Sequence, residues 1–228
     1  MKILIFADTH GEYEKAAEVL NQVKTEGIDL ILCPGDFTDI FNVPQGFSQE
    51  NIADMVVQKL LATGKPAFCV PGNHDPFEIL EIFNEYDVNL HNKVRVFGGT
   101  KFLGWGGAPT PFDTPFEPSE EETVDVLGRL GDKVEKGKFI LVTHNPPANT
   151  KLDKALSGSH VGSGAIMKFI QEKQPILAIS AHIHEAGGKD KVGGTTLFYP
   201  GPLFDGFYGV VDMEDGKVKS AKINRVRV

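Results

Sequence analysis

Short apolar runs alternate with amphipathic segments in the first third of the chain. The continuous apolar runs predict buried strands at residues 2–7, 30–33 and 67–70. Between and after these runs, apolar residues recur at helical spacing, which predicts helices at residues 12–24, 49–61 and 76–83. This alternation of strand and helix predicts βαβ units with a parallel sheet.

The pattern changes after residue 90. The apolar stretches 94–97 and 101–103 are joined by Gly98 and Gly99, which predicts a hairpin. Ser119, followed three residues later by Glu122, predicts a capping box for a helix that runs to about Leu130. Strands are predicted at 139–143 and 176–180, with a helix at 164–171 between them. The last predicted strands, at 195–199, 208–213 and 218–225, are typical of an antiparallel sheet. We therefore expect one α/β domain over residues 1–228, with parallel strands in the middle, antiparallel strands at the edges and helices outside.

The charge balance and the lack of long apolar runs exclude several classes of protein. The 228 residues include 23 Lys and Arg against 31 Asp and Glu, a net charge of −8, which argues against a broad basic face that binds nucleic acid. No apolar run approaches the roughly 20 residues of a membrane helix, and the N-terminal segment is too short and too weakly basic for a secretory signal. Cys33 and Cys69 lie in apolar runs, so we expect buried free thiols and a reducing, cytoplasmic location.

Polar residues that can bind metal ions follow five of the predicted strands. In open α/β sheets the ligand site lies beyond the carboxyl ends of the strands. Five of the seven histidines lie at such ends, whereas His91 and His160 do not. One of the five, His74, is a candidate for a catalytic role. The candidate metal ligands at these ends are Asp8, His10, Asp36, Asn73, His144, His182 and His184.

This set of side chains points to a particular kind of metal site. Imidazoles mixed with carboxylates and one amide suit Mn, Fe, Zn or Ni better than Mg or Ca, which prefer oxygen ligands. Seven ligands are too many for one tetrahedral ion, but they fit two ions that share a bridging group. Such a site stays positive despite the net charge of −8 and attracts a phosphate. His74 is then free to act as a general acid toward the leaving group.

The same residues form five blocks in a characteristic order between residues 8 and 185. The blocks are Asp8-Thr9-His10, Gly35-Asp36-Phe37-Thr38-Asp39, Gly72-Asn73-His74-Asp75, Thr143-His144-Asn145-Pro146-Pro147 and His182-Ile183-His184-Glu185. Each block alone is weak, but the ordered set resembles the calcineurin-like metallophosphoesterases. The proline pair and Glu185 resemble the small Icc-related phosphoesterases in particular.

The resemblance implies a fold, two metal sites and a reaction. The implied fold is a four-layer α/β/β/α sandwich of two mixed sheets flanked by helices. One ion would be bound by Asp8, His10, Asp36 and His184, and the second by Asp36, Asn73, His144 and His182, with Asp36 bridging. Manganese is the favoured metal, and the nucleophile would be a bridging hydroxide. His74 would serve the leaving oxygen, oriented by Asp39.

Three departures from the family pattern bear on the substrate. Members that dephosphorylate proteins carry an arginine at the position of Ile40, so we favour a phosphodiesterase that cleaves a small, nucleotide-like phosphate ester. The usual glycine before the last block is Ala181, and Gly201-Pro202 stands where relatives often have Gly-Ser. A phosphomonoesterase, a nuclease and a catalytically weak metal-binding scaffold are the alternatives. Whether the chain forms a homo-oligomer stays open.

Aromatic residues in three segments leave two interpretations open. Trp105, Phe112 and Phe116 lie in a glycine- and proline-rich loop at 104–118, which either forms a lid or packs its aromatic rings into the core. Phe41 and Phe47 either line the same mouth or form a contact between copies of the chain. Phe204 and Phe207 either line the site or pack in the core.

Overall fold

Two β-sheets pack face to face, and helices cover their outer faces. The computed structural model describes residues 1–227. The strands are β1 (Lys2–Ile5), β2 (Leu30–Cys33), β3 (Ala67–Cys69), β4 (Lys93–Phe97), β5 (Thr100–Trp105), β6 (Phe139–Thr143), β7 (Leu177–Ile179), β8 (Gly188–Val192), β9 (Thr195–Tyr199), β10 (Phe207–Glu214) and β11 (Lys217–Arg225). The helices are α1 (Tyr13–Gln22), α2 (Gln49–Leu61), α3 (Ile79–Glu85), α4 (Glu120–Gly131) and α5 (Gly164–Lys173).

The strand order confirms most of the expected topology. The first sheet has the order β11-β10-β1-β2-β3, and the second has the order β4-β5-β6-β7-β9-β8. Strands β5, β6, β7 and β9 run parallel in the middle of the second sheet, and β4 and β8 are its antiparallel edges. In the first sheet the edge strand β11 is antiparallel to β10, but the other edge, β3, is parallel to β2.

Three apolar clusters separate the four layers. The central cluster joins the inner faces of both sheets, with Ile3 and Leu30 from the first and Phe102 and Ile140 from the second. A second cluster packs α1, α2 and α3 on the first sheet, and a third packs α4 and α5 on the other sheet. The α/β/β/α sandwich implied by the family resemblance is therefore confirmed.

The local signals at α4 explain where this helix begins. The Ser119 hydroxyl accepts a hydrogen bond from the backbone N–H of Glu122 (3.1 Å), and the Glu122 carboxylate accepts one from the backbone N–H of Ser119 (2.8 Å). This is the predicted capping box, and it satisfies two amide donors at the helix start.

None of the helices within residues 1–227 is long and apolar enough to cross a membrane.

The C-terminal strands differ from the sequence prediction in one respect. We expected β9 in an antiparallel sheet with β10 and β11, but it lies in the other sheet, parallel to β7 and antiparallel to β8. The hydrophobic pattern missed β8 because its Gly-Lys-Asp-Lys-Val sequence at an exposed sheet edge carries little apolar signal. The pattern also placed the start of the third helix too early, since α3 begins at Ile79.

Candidate metal centre

The loops that follow β1, β2, β3, β6 and β7 meet at one edge of the sandwich. Two Pro-Gly turns, after β2 and β3, pack against each other there, and glycine is required at Gly35. Its φ of +111° lies in the left-handed region. A Cβ atom at Gly35 would also lie 2.5 Å from the Gly72 backbone nitrogen and 2.6 Å from His144 Nδ1. The turn therefore brings the β2 loop, the β3 loop and His144 into direct contact.

Backbone hydrogen bonds fix the first two loops to each other. The amides of Thr9 (2.7 Å) and His10 (2.9 Å) both donate to the carbonyl oxygen of Asp36. Four candidate ligand residues have positive φ angles: Asp8, His10, Asp36 and His182. Non-glycine residues rarely adopt this conformation, and such strain is concentrated at functional sites.

The first predicted ligand group is assembled around His10. Ligand atoms of Asp8, His10, Asp36 and His184 lie within 4.8 Å of one another. His10 Nε2 is 3.1 Å from His184 Nε2 and 3.3 Å from Asp36 Oδ2. His184 Nε2 is 3.9 Å from Asp8 Oδ1. The four residues come from three different loops, and their nitrogen and oxygen donors converge on one point.

The second predicted ligand group shares Asp36 with the first. Ligand atoms of Asp36, His144 and His182 also lie within 4.8 Å of one another. His144 Nε2 is 3.2 Å from Asp36 Oδ2 and 3.1 Å from Asn73 Oδ1. The same carboxylate oxygen, Asp36 Oδ2, therefore lies between His10 on one side and His144 on the other. This is the position that a bridging ligand requires.

The hydrogen bonds around His144 give a reason for a cation at this place. Its Nδ1 lies 2.8 Å from the Pro34 carbonyl oxygen, which can only accept, so Nδ1 carries the proton in that bond. Asn73 Nδ2 donates to Thr114 Oγ1 at 3.2 Å, so the amide oxygen of Asn73 faces His144. A neutral His144 thus places a ring lone pair against two oxygen acceptors. A metal ion satisfies all three acceptors, and the mixed donor set fits a first-row transition metal.

The charges of the cluster act strongly on its histidines. Burial alone would lower the pKa of His10 and of His144, but the carboxylate of Asp36 raises these pKa values to about 11 and about 9. The same two histidines hold the pKa of Asp36 well below its usual range, against the effect of burial. Burial and the neighbouring His144 lower the pKa of His182 to about 3. The carboxylate at the centre therefore attracts positive charge, whether as protons or as metal ions.

Tyr199 supports the centre from the end of β9, and the sequence pattern did not identify it. Its hydroxyl donates to Asp8 Oδ2 at 2.6 Å, and both side chains are fully buried. The backbone N–H of His182 donates to the other oxygen, Asp8 Oδ1, at 3.2 Å. Tyr199 ends an apolar strand, so the hydrophobic pattern alone assigns it to the core. Its role follows only from the sheet order, which places β9 beside β7.

His74 and Asp39 form a pair beside the first ligand group. His74 Nδ1 lies 3.1 Å from Asp39 Oδ1, and the backbone N–H of His74 donates to Asp36 Oδ1 at 2.9 Å. The other Asp39 oxygen lies 3.7 Å from His10 Nδ1. The nearby imidazole of His10 lowers the pKa of Asp39 despite partial burial. This geometry brings both predicted catalytic residues to the rim of the cluster.

Asp75 is a further residue to which the sequence pattern gave no role. It is fully buried, and its carboxylate accepts hydrogen bonds from the backbone N–H of Gly72 (2.8 Å) and from the backbone N–H of Thr38 (2.9 Å). Burial and the nearby charge of Asp36 raise the pKa of Asp75 to about 6. It therefore ties the β2 loop to the β3 loop beneath the cluster.

Two aromatic rings flank the centre, and others pack inside the fold. The ring of Phe204 lies edge-on to the rings of His10 and His184, with 5.6 Å and 5.0 Å between ring centroids. The ring of Phe41 is exposed, and its centroid lies 5.6 Å from that of the His74 ring. Trp105, which ends β5, and Phe116 are buried, so these two aromatic residues of the predicted 104–118 loop pack into the core.

Four other residues that the sequence analysis singled out are not members of the two ligand groups. His91 stacks on Trp105, and His160 binds Asp153 at 2.7 Å, so both histidines lie outside the cluster as predicted. Ile40, at the position of the family's arginine, is exposed. Ala181 is fully buried in the cluster beneath the second sheet.

Comparisons with known proteins agree with this geometry. A family model for calcineurin-like phosphoesterases matches residues 1–186. An uncharacterized protein of Methanocaldococcus jannaschii is 35% identical over 213 residues, which cover 89% of this chain and 88% of that protein.

Two solved structures share the fold at low sequence identity. A protein of Thermus thermophilus superposes with a TM-score of 0.75 at 20% identity and 99% coverage of both chains. A dimetal phosphatase from Danio rerio superposes with a TM-score of 0.63 at 13% identity, covering 99% of this chain and 98% of that one. By the family model and the ligand geometry described above, the chain belongs to the calcineurin-like phosphoesterase family and is a metal-dependent hydrolase of phosphoric ester bonds.

Proposed function

We propose that this protein is a phosphodiesterase with two divalent metal ions, Mn²⁺ being favoured, and that it cleaves a small, nucleotide-like phosphate ester. One observation carries the dinuclear assignment. Asp36 Oδ2 lies 3.3 Å from His10 Nε2 and 3.2 Å from His144 Nε2, so one carboxylate oxygen serves both ligand groups. The likeness to a dimetal phosphatase supports the same number of ions.

The ligand residues divide between the two sites around Asp36. Asp8, His10 and His184 would hold the first ion together with Asp36. Asn73, His144 and His182 would hold the second, again with Asp36. A pair of divalent ions, when bound, polarises the phosphoryl group and activates a water molecule for attack. Tyr199 holds the carboxylate of Asp8 in place, and the Pro34 carbonyl fixes the ring of His144.

His74 is proposed to protonate the leaving oxygen. Asp39 accepts from Nδ1, which fixes the ring and leaves Nε2 as the atom that delivers the proton. His74 also lines a cavity of about 340 Å³ together with His10 and His184. The proposed general acid and two residues of the first ligand group, His10 and His184, thus face the same space, where a bound ester would meet them.

The lining of this cavity supports a diester as the substrate. Its described lining residues are His10, Glu12, Asp39, Asn42, His74, His184 and Phe204. They include two carboxylates and no lysine or arginine, and Ile40 replaces the arginine of protein phosphatases. A phosphomonoester carries a second negative charge that a guanidinium would neutralise. A diester carries only one charge and needs no such partner.

A pair of chromogenic esters tests this proposal. The protein would be treated with a chelator, reloaded with Mn²⁺ and assayed on bis-p-nitrophenyl phosphate and on p-nitrophenyl phosphate. We expect metal-dependent cleavage with a higher kcat/KM for the diester. A preference for the monoester would contradict the role given to Ile40, and cleavage of neither would favour a metal-binding scaffold. A gel assay on single-stranded DNA separates a small-molecule esterase from a nuclease, and we expect no cleavage there.

A cytoplasmic location is proposed on the state of the cysteines. Cys33 and Cys69 face each other across β2 and β3, and both are buried free thiols. Neighbouring free thiols are typical of a reducing compartment.

A further inference from the structure

A second, positively charged groove lies next to the metal centre. It has a volume of about 660 Å³ and is lined by Lys15, Phe204, Asp205, Arg225, Val226 and Arg227. The chain as a whole has a net charge of −8, so three cations in one groove are a local reversal of charge. A volume of this size exceeds a single phosphate ion and is in the range of nucleotide-sized ligands.

The three cations come from two parts of the fold that are distant in sequence. Lys15 lies in the first turn of α1, and the two arginines lie at the end of β11 and just beyond it. Arg225 and Arg227 are two positions apart, and both line the groove although Arg227 lies beyond the end of β11. Other basic residues of β11, such as Lys222, do not line the groove. The usual role of edge-strand lysines, which discourage pairing with other chains, therefore does not explain this cluster.

The groove is preorganised and only partly neutralised. Arg225 Nε donates to the backbone oxygen of Asp205 at 3.0 Å, and its guanidinium lies 4.7 Å from the centroid of the Phe207 ring. Two carboxylates face the cations: Asp205 in the groove, and Glu12, whose Oε1 lies 3.4 Å from Lys15 Nζ. Within residues 1–227, neither arginine forms an ion pair with a carboxylate. An anion from outside the chain would complete the cluster.

Phe204 connects this groove to the metal centre. Its ring lines both cavities and stands edge-on to His10 and His184. We propose that the groove binds a second phosphate group of the substrate, so that the substrate is a phosphodiester that carries a further phosphate beyond the one that is cleaved. Phe204 separates the two phosphates and packs against the part of the substrate that joins them. This inference rests on the proposed function and extends it to the substrate class.

Three dinucleotides test the inference on the Mn²⁺-loaded protein. They are TpT and its two phosphorylated forms, pTpT and TpTp. Both forms are used because the position of the groove does not determine which end of the dinucleotide carries the extra phosphate. We expect one of the phosphorylated forms to have a KM at least about tenfold lower than that of TpT, as is usual for a charge-assisted contact. Lys15→Ala and Arg227→Ala should each reduce this ratio by roughly three- to tenfold. Raising the salt concentration should reduce it too.

The matched control is Lys222→Ala, which removes an exposed cation of β11 that lies outside the groove. In this variant, the ratio of the KM for TpT to the KM for the preferred phosphorylated form should equal that of the wild type. Equal KM values for all three dinucleotides in the wild type would overturn the inference, and so would an equal loss in Lys222→Ala. Inorganic phosphate that binds the groove as tightly as the phosphorylated dinucleotide would also overturn it, because the site would then serve a free anion.

A binding measurement separates this inference from the proposed function. Calorimetric titration of the Mn²⁺-loaded His74→Asn variant with pTpT, TpTp and TpT reports affinity while turnover is slowed about 100-fold. If no diester is cleaved by the wild type, the proposed function fails. If a phosphorylated form binds His74→Asn more tightly than TpT does, and this difference disappears when Arg227→Ala is added, the result would still support the phosphate-binding role of the groove. Equal binding of all three dinucleotides would refute that role.

Discussion

Tyr199→Phe removes one hydroxyl that contacts Asp8, a member of the first candidate ligand group. The hydroxyl donates to Asp8 Oδ2 at 2.6 Å, and both residues are fully buried. A hydrogen bond to a charged group contributes about 1.5–3 kcal/mol to stability, and here no water can replace the donor. We therefore expect the metal-free protein to lose about 1.5–3 kcal/mol in free energy of unfolding. Mn²⁺ affinity should fall roughly 10- to 100-fold, because Asp8 is no longer held in position.

Two assays and a matched variant check this expectation. Urea unfolding of chelator-treated protein gives the free energy of unfolding, and equilibrium dialysis gives the Mn²⁺ affinity. Tyr208→Phe is the control, because Tyr208 is a partly buried tyrosine of the first sheet whose ring packs near Phe6, and the hydrogen bond to Asp8 comes from Tyr199 instead. A Tyr199→Phe variant with unchanged stability and unchanged Mn²⁺ affinity would refute the reasoning. Equal losses in Tyr208→Phe would show that the effect is not specific to Asp8.

Three further changes have expected results. His74→Asn should still bind two Mn²⁺ ions by elemental analysis, but should cleave diesters with poor leaving groups about 100-fold more slowly; unchanged turnover would exclude the general-acid role. Gly35→Ala should lower the urea midpoint strongly, because its φ of +111° and the contact with His144 leave no room for a Cβ; Gly216→Ala, also at positive φ but in open space, is the control and should lose less. Burial alone would raise the pKa of Asp153, but hydrogen bonds from His160 and backbone amides hold it below its usual range. This carboxylate therefore stabilises the fold above about pH 4, and the gain is lost as the pH falls through its folded pKa. Asp153→Asn should flatten that acid-side loss in urea unfolding measured from about pH 6 to about pH 2.

The clustering of the candidate ligand residues could be predicted in part from the chain direction. Each follows an apolar run, and the carboxyl ends of the parallel strands β1 and β2 meet at one edge, so Asp8 and Asp36 had to come close together. His144 follows β6 of the second sheet, and its place beside Asp36 depends on how the two sheets pack. The sharp Pro-Gly turns add a second local signal, which the close approach of Gly35 and Gly72 explains. The capping box of α4 was equally local and equally predictable.

The rest depends on contacts between distant parts of the chain. The role of Tyr199 requires the knowledge that β9 lies beside β7, and nothing in an apolar strand indicates which sheet it joins. Asp75 looks like a turn residue until the burial of its carboxylate beneath two loops is seen. The groove is lined by Lys15 from the start of the sequence and by Arg225 and Arg227 from its end, so no local stretch of sequence could reveal it.

The two aromatic residues at the centre illustrate the same limit. Phe204 and Phe41 lie in segments whose sequence was compatible with either a site wall or another packing role. The structure places Phe204 against His10 and His184, and Phe41 beside His74. Side-chain type alone does not separate these roles, because an aromatic ring is equally suited to core packing and to contact with a ligand.

The most direct test of the central claim is a titration of chelator-treated protein with Mn²⁺, followed by its activity on bis-p-nitrophenyl phosphate. The shared position of Asp36 Oδ2 predicts that activity is absent without metal and reaches its plateau at two equivalents of Mn²⁺ per chain. Activity that survives complete removal of metal, or that reaches its plateau at one equivalent, would contradict a dinuclear phosphodiesterase.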